Sequence, residues 1–169
     1  LEVDATTKAG VRRSVGFIFG TGLIAKFFET YEARGANGLG LAAQIAGRVF
    51  VESLTGGPLA HTILTPMPCL VRADGAPVAE HVSLLCASVL RDLGLGMRVC
   101  YRAGELPDRI HLVASSLPPA ELGPRAPKVL LGRSIGGRGH FDALVSAFSV
   151  EFPGGIEGPY VFDGDTFSA

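Results

Sequence analysis

The stretch VAEHVSLLCASVLRDL, residues 78–93, decides the fold that this sequence predicts. Its apolar residues recur at the three- and four-residue spacing of one helix face, and Gly94 follows as a residue suited to ending a helix. The turn signal Asp74-Gly75-Ala76-Pro77 precedes it. We therefore predict a helix over 78–93. The residues on its apolar face are Val82, Leu85, Val89, Leu90 and Leu93.

Working outward from this helix, the pattern alternates between strands and helices. Strands are expected at 15–19, 48–52, 61–64, 97–101, 108–114 and 128–133, and helices at 23–33 and 39–46, while 141–148 fits a short helix or an edge strand. Such alternation is typical of a mainly parallel sheet with helices on both faces. The sequence thus predicts an α/β fold in a single domain over residues 1–169, with a flexible segment at 1–13.

Composition narrows the class of protein. With 47% hydrophobic and 18% charged residues and a net charge of -1, the chain is expected to fold, and it has no basic field for nucleic acid. The apolar run 15–25 is shorter than the ~20 residues that cross a bilayer. These features predict a soluble, cytoplasmic protein with no membrane partner, in which a homo-oligomer is possible.

Three cysteines, Cys69, Cys86 and Cys100, are present in the chain. An odd number without a C-x-x-C pair argues against both a disulfide scaffold and a zinc site, and favours a reducing compartment. No metal or other cofactor is implied.

The segment Gly20-Thr21-Gly22-Leu23-Ile24-Ala25 has the form G-x-G-x-x-A at the junction of a predicted strand and helix. Such glycines let a backbone approach a pyrophosphate at a helix N-terminus. The acidic ribose ligand expected about 20 residues later is missing, since Glu52 comes too late. A tight packing turn between strand and helix is the alternative interpretation.

Two arginines lie among glycines in the loop RSIGGRGH, residues 133–140. Arg133 and Arg138 could hold a carboxylate or phosphate, with His140 beside them as a third candidate for substrate binding. The alternatives are a solvated loop, or pairing of one arginine with Asp142.

Asp74 and His111 are the candidate catalytic residues. Asp74 either stabilises a turn or acts as a general base at the end of a strand. His111 lies within a predicted strand, so its side chain faces either the core or a cleft.

The order of several short motifs resembles the D-glutamate cyclase-like family. The resemblance implies a hydro-lyase in which the amine of D-glutamate attacks its side-chain carboxyl group and water leaves, giving 5-oxo-D-proline. Arg133 and Arg138 would hold the carboxylates, and Asp74 or His111 would remove the proton. The matching segments are Arg34-Gly35, Ala42-Ala43, 49–51, 55–58, 73–79, 91–94, 111–114 and 132–135.

Two further classes remain open at this point. The run GHFDAL, residues 139–144, resembles the histidine strand of papain-like, ovarian-tumour-type cysteine hydrolases, in which Cys69 would have to be the nucleophile because Gly38 stands at the expected position. A non-catalytic binding or assembly module is the other alternative.

Overall fold

The computed structural model describes residues 1–7, 10–33, 38–94, 96–154 and 158–168. The strands in these ranges are β1 Glu2–Thr7, β2 Gly10–Val15, β3 Ile18–Gly22, β4 Met67–Ala73, β5 Ala76–Val82, β6 Leu84–Ser88, β7 Ile110–Ser115, β8 His140–Val145, β9 Phe148–Glu151, β10 Pro159–Phe162 and β11 Asp165–Ser168. The helices are α1 Leu23–Glu32, α2 Leu39–Thr55, α3 Pro58–Leu64, α4 Pro119–Leu122 and α5 Ala126–Leu130, and a 3₁₀ turn spans Gly123–Arg125.

The strands form three sheets, and every described strand pair is antiparallel. The largest sheet has the order β11-β10-β3-β6-β7-β8, a second has the order β5-β4-β9, and β1 pairs with β2. The prediction of a mainly parallel sheet with helices on both faces is therefore wrong.

The six-stranded sheet has a different covering on each face. One face packs against the three-stranded sheet, and the core between them includes Leu85 and Leu112 from the large sheet and Val71 from the small one. The opposite face carries Leu84, which packs with Ile45 and Ile63 of helices α2 and α3. Among the described elements, helices thus cover one face of the large sheet only.

The stretch 78–93 is not a helix. It contains the end of strand β5 and the whole of strand β6. All five residues of β6 are buried, because β6 lies between β3 and β7 in a sheet that is covered on both faces. Such a strand does not alternate between apolar and polar residues, and in β6 only Ser88 is polar. Its sequence therefore cannot be told from a buried helix by periodicity.

Several segments that were predicted to be strands are helices or turns in the structure. The expected strands at 48–52, 61–64 and 128–133 lie largely in α2, α3 and α5, and 97–101 forms turns. In α2 the spacing of the buried residues Ile45, Val49 and Ser53 is helical, so burial on one face prevails over the β preference of the Val-Phe-Val run.

Other predictions are confirmed. Helix α1 occupies the range expected for it, and 39–46 is helical. Strand β7 overlaps the predicted strand 108–114, and β8 is an edge strand. The hairpin β1–β2 was not predicted; its residues 2–7 and 10–13 fall within the segment 1–13 that the sequence predicts to be flexible. The helix end proposed at Arg34-Gly35 lies outside the described residues. Within the described ranges, no helix has the length and apolar character needed to span a membrane.

Candidate functional site

Strands β7 and β8 bring three ionisable side chains to the helix-bearing face of the large sheet. Asp142 is paired with Val113, and His140 with Ser115, so these residues share a face with His111 two positions away on β7. Since alternate residues of a strand point the same way, His140 and Asp142 also lie side by side on β8.

A short hydrogen bond joins His111 to Asp142. The distance between Nε2 of His111 and Oδ1 of Asp142 is 2.7 Å, and the His111 side chain is completely buried. The backbone N–H of Arg102 donates to Nδ1 of the same ring over 3.3 Å. Because Nδ1 accepts, the ring proton lies on Nε2 and is donated to the carboxylate.

The second oxygen of Asp142 has its own partners. The Tyr101 hydroxyl donates to Oδ2 over 3.1 Å, and Nε2 of His140 lies 3.7 Å from it. The Ser134 hydroxyl lies 3.5 Å from the same nitrogen of His140. We call the five residues His111, Asp142, His140, Tyr101 and Ser134 the His-Asp cluster.

One nitrogen of His140 has no partner among the described residues. The side chain is only 3% exposed, and its buried Nδ1 forms no hydrogen bond with the part of the chain that the structure describes. A buried polar atom left unpaired is costly, so such atoms are uncommon in folded proteins. This nitrogen is therefore the atom of the cluster that is free to take a proton or a ligand.

The cluster keeps Asp142 ionised. Burial alone would raise the pKa of Asp142, but hydrogen bonds with His111, His140 and Ser134 outweigh it and hold this pKa well below its usual range. Burial and the neighbouring Asp142 carboxylate raise the pKa of Tyr101, so its hydroxyl remains a hydrogen-bond donor.

The arrangement differs from a serine hydrolase triad. There the histidine uses one nitrogen for serine and the other for the carboxylate, whereas here Ser134 and Asp142 both lie near Nε2 of His140. Among the described residues, no group of three or more His, Cys, Asp or Glu side chains could hold a metal ion. The arrangement places Nδ1 of His140 as a buried imidazole nitrogen that could take part in proton transfer.

The structure brings together two of the predicted site residues, His111 and His140. Arg133 and Arg138 lie on the segment that contacts His140 through Ser134, and both are exposed. Asp74 lies apart, in the β4–β5 turn of the smaller sheet, where its carboxylate accepts hydrogen bonds from the backbone of Ser146 and Ala147 over 2.9 Å each.

Two other sequence motifs have structural roles in the described chain. Gly22 has a φ of 67°, and a Cβ there would lie 2.7 Å from the carbonyl oxygen of Ser83. The G-x-G-x-x-A segment is accordingly a tight turn between β3 and α1, as the second interpretation expects. Cys69 is buried between the two sheets, and burial raises its pKa to about 11, so it carries no thiolate at neutral pH.

Sequence reasoning assigned no role to Tyr101 or Ser134 and considered Asp142 only as a partner of arginine. The signal that could have found Asp142 is the His140-Phe141-Asp142 alternation, which places both polar side chains on one face of a strand. Tyr101 gives no such signal, because the chain between β6 and β7 brings it to the site.

The described architecture, an antiparallel β-sandwich with helices on one outer face, defines a class of fold rather than an activity. No family model matches the sequence, and no curated protein matches it at a significant level. Among solved structures, the chain is similar to that of a putative diacylglycerol kinase from Bacillus anthracis str. Sterne, with a TM-score of 0.51 and 11% sequence identity. The match covers 90% of this chain and 48% of the Bacillus anthracis chain, so this chain spans about half the length of that protein.

Proposed function

We propose that this chain is part of a lipid phosphotransferase that transfers a phosphoryl group from ATP to the hydroxyl group of a diacylglycerol. The observation that carries the proposal is the fold likeness to the Bacillus anthracis protein along 90% of this chain. Because the chain matches only 48% of that protein, it would supply a share of the active site rather than all of it.

The His-Asp cluster supports the proposal through its chemistry. In the reaction, the lipid oxygen forms a bond to the γ-phosphorus, the bond to the ADP oxygen breaks, and the hydroxyl proton must go to a base. Nδ1 of His140 has no hydrogen-bond partner among the described residues, and a carboxylate oxygen of Asp142 lies 3.7 Å from the other ring nitrogen. His140 is thus our candidate proton acceptor, and its burial requires the segment 133–139 to move aside for the substrate.

The proposal includes a cytoplasmic location, since ATP is the phosphoryl donor and all three cysteines are free thiols. It also departs from one expectation of the sequence, namely that the protein has no membrane partner. A diacylglycerol resides in a membrane, so the protein would have to reach a bilayer surface.

The test measures transfer of radiolabel from γ-labelled ATP to dioctanoylglycerol in mixed micelles. Where this share of the active site suffices for turnover, we expect labelled lipid with the wild-type chain and at least a tenfold lower kcat for His140→Ala, within the range that general-base catalysis contributes. His81→Ala is the matched control, because His81 is exposed on the edge strand β5.

A second arm of the experiment covers the case in which the chain needs further protein for turnover. Dioctanoylglycerol is added to protein labelled with ¹⁵N in its histidines, and the imidazole resonances are followed. A saturable shift of His140 but not of His81 supports the proposal. Absence of both labelled lipid and such a shift contradicts it.

Cyclisation of D-glutamate stays a prediction of the sequence. Its two candidate bases lie on opposite sides of the large sheet. His111 faces the helices, and Asp74 lies in the smaller sheet on the other side. Formation of 5-oxoproline from D-glutamate by the same protein preparation tests it directly.

A further inference from the structure

Two buried thiols lie against each other, one on strand β6 and one in the segment that joins β6 to β7. Cys86 belongs to β6 and Cys100 to the joining segment, and both are 0% exposed. Their sulfur atoms are 3.4 Å apart, and Sγ of Cys100 also lies 3.5 Å from the carbonyl oxygen of His111. The proposed phosphotransferase activity makes no use of either thiol.

We propose that Cys86 and Cys100 are a site of reversible oxidation, at which hydrogen peroxide converts the two thiols into an intramolecular disulfide bond. A disulfide needs its sulfur atoms about 2.0 Å apart. Starting from 3.4 Å, this requires a small approach of the two side chains. The segment 89–109 can supply it, because the described part of that segment consists of turns and bends without regular strands or helices.

The chemistry balances with peroxide as the two-electron oxidant. One thiolate attacks the O–O bond, forming a sulfenic acid and releasing water after protonation. The second thiol then attacks the sulfenic sulfur, the S–S bond forms, and a second water leaves. Two thiols and one peroxide thus give one disulfide and two waters, and a dithiol reductant reverses the change.

Burial controls the rate of this reaction. The hydrogen bond to Cys86 and removal from water raise the pKa of Cys100 well above its ordinary value, so thiolate is scarce in the closed protein. Several residues of the segment 89–109, including Arg91, Asp92 and Arg98, are exposed. We therefore expect oxidation to proceed by local opening of the segment 89–109 and to be slower than for an exposed low-pKa cysteine.

Oxidation at this site would act on the His-Asp cluster. The residues after Cys100 make two of its contacts, since the Tyr101 hydroxyl donates to Asp142 and the Arg102 N–H donates to His111. A bond that draws Cys100 toward β6 displaces the backbone from which both groups project. The thiol pair is thus placed to couple redox state to the geometry of the cluster.

The experiment treats the purified chain with hydrogen peroxide, unfolds it in an alkylating reagent and measures the intact mass. We expect alkylation of three thiols before oxidation and one after it, with recovery of three after dithiothreitol. Cys69→Ser is the matched control and should still lose two alkylation sites, whereas Cys86→Ser and Cys100→Ser should form no intramolecular bond.

Peptide mapping of the wild-type chain gives an independent readout that needs no variant. Trypsin places the cysteines in three peptides, 49–72, 73–91 and 99–102, because arginines stand at 48, 72, 91, 98 and 102. A linked 73–91/99–102 pair supports the proposal. Three alkylated thiols after oxidation, a link to 49–72, or irreversible addition of oxygen in place of the link would overturn it.

Discussion

Asp142 is a partly buried carboxylate that is held by hydrogen bonds on both oxygens. His111 donates to one oxygen over 2.7 Å and Tyr101 to the other over 3.1 Å. A carboxylate removed from water is unfavourable unless such donors compensate it. The donors come from β7 and from the segment before it, so this one side chain ties the edge strand β8 to the rest of the site.

We predict that Asp142→Asn lowers the free energy of unfolding by about 2 kcal/mol, the range for hydrogen bonds to a charged group. The amide removes the negative charge and presents an N–H₂ group toward one of the two donors. Urea denaturation of wild type and variant measures the difference. Asp108→Asn, at an exposed position, is the control and should change stability by no more than ~0.5 kcal/mol. Equal losses in the two variants would mean that the cluster contributes nothing particular.

The stabilising effect of Asp142 should depend on pH in a definite direction. Its pKa is lowered in the folded protein, so its contribution is complete above the unfolded value of about 3.9 and is lost as pH falls toward the folded value. The difference in stability between wild type and Asp142→Asn should therefore shrink below about pH 4. A difference that grows as the solution is acidified would contradict the depressed pKa.

At the scale of elements, two Asp-Gly turns organise the sandwich. Asp74-Gly75 joins β4 to β5 with φ values of 48° and 84°, and Asp163-Gly164 joins β10 to β11 with 51° and 98°. Positive φ at both central residues is the two-residue hairpin turn that matches the twist of antiparallel strands. Each aspartate also accepts backbone hydrogen bonds from another segment, Asp74 from the β8–β9 connection and Asp163 from the start of β3.

We predict that Gly75→Ala lowers the free energy of unfolding by about 1 kcal/mol, because an L residue is strained at this positive φ. Gly47→Ala is the matched comparison. Gly47 lies in α2, and a Cβ there would meet no atom within 4 Å. That change should raise stability by roughly 0.5–1 kcal/mol, since alanine is the better helix former. Thermal and urea unfolding of both variants check the prediction, and stabilisation by Gly75→Ala would rule out the turn geometry.

At the scale of the whole molecule, the strands differ in how firmly they are held. β6 and β7 are interior strands of the six-stranded sheet, with packed side chains on both faces. β1 and β2 pair only with each other among the described strands. The central strands of the large sheet are buried on both faces and hydrogen-bonded to a neighbouring strand on each side. They are therefore the most constrained part of the described fold.

We predict that amide hydrogen exchange follows this order. Amides of β6 and β7 should exchange only through global unfolding, while those of β1 and β2 exchange through local opening with a lower free energy. Native-state exchange at increasing denaturant distinguishes the two. Protection of the β1–β2 hairpin equal to that of β6 would contradict the prediction.

Features that depend on neighbouring residues could be predicted from the sequence. The helix at 23–33, the turn at Asp74-Gly75, the strand at 108–114 and the proximity of His140 to the loop at 133–139 were all readable from periodicity, turn residues and chain order. The polar alternation His140-Phe141-Asp142 also contained two of the five residues of the His-Asp cluster.

The layers of the fold and the pairing of its strands could not be predicted from the sequence and are seen in the folded chain. Residues 84–88 are buried throughout because two different layers cover them, and a one-dimensional pattern does not record which layers those are. The His-Asp cluster likewise depends on the antiparallel register that sets β7 beside β8 and on the chain segment that carries Tyr101 across the sheet. Contacts between residues about 30 or more positions apart are set by the packing of whole elements, so they emerge only when the elements have been assembled.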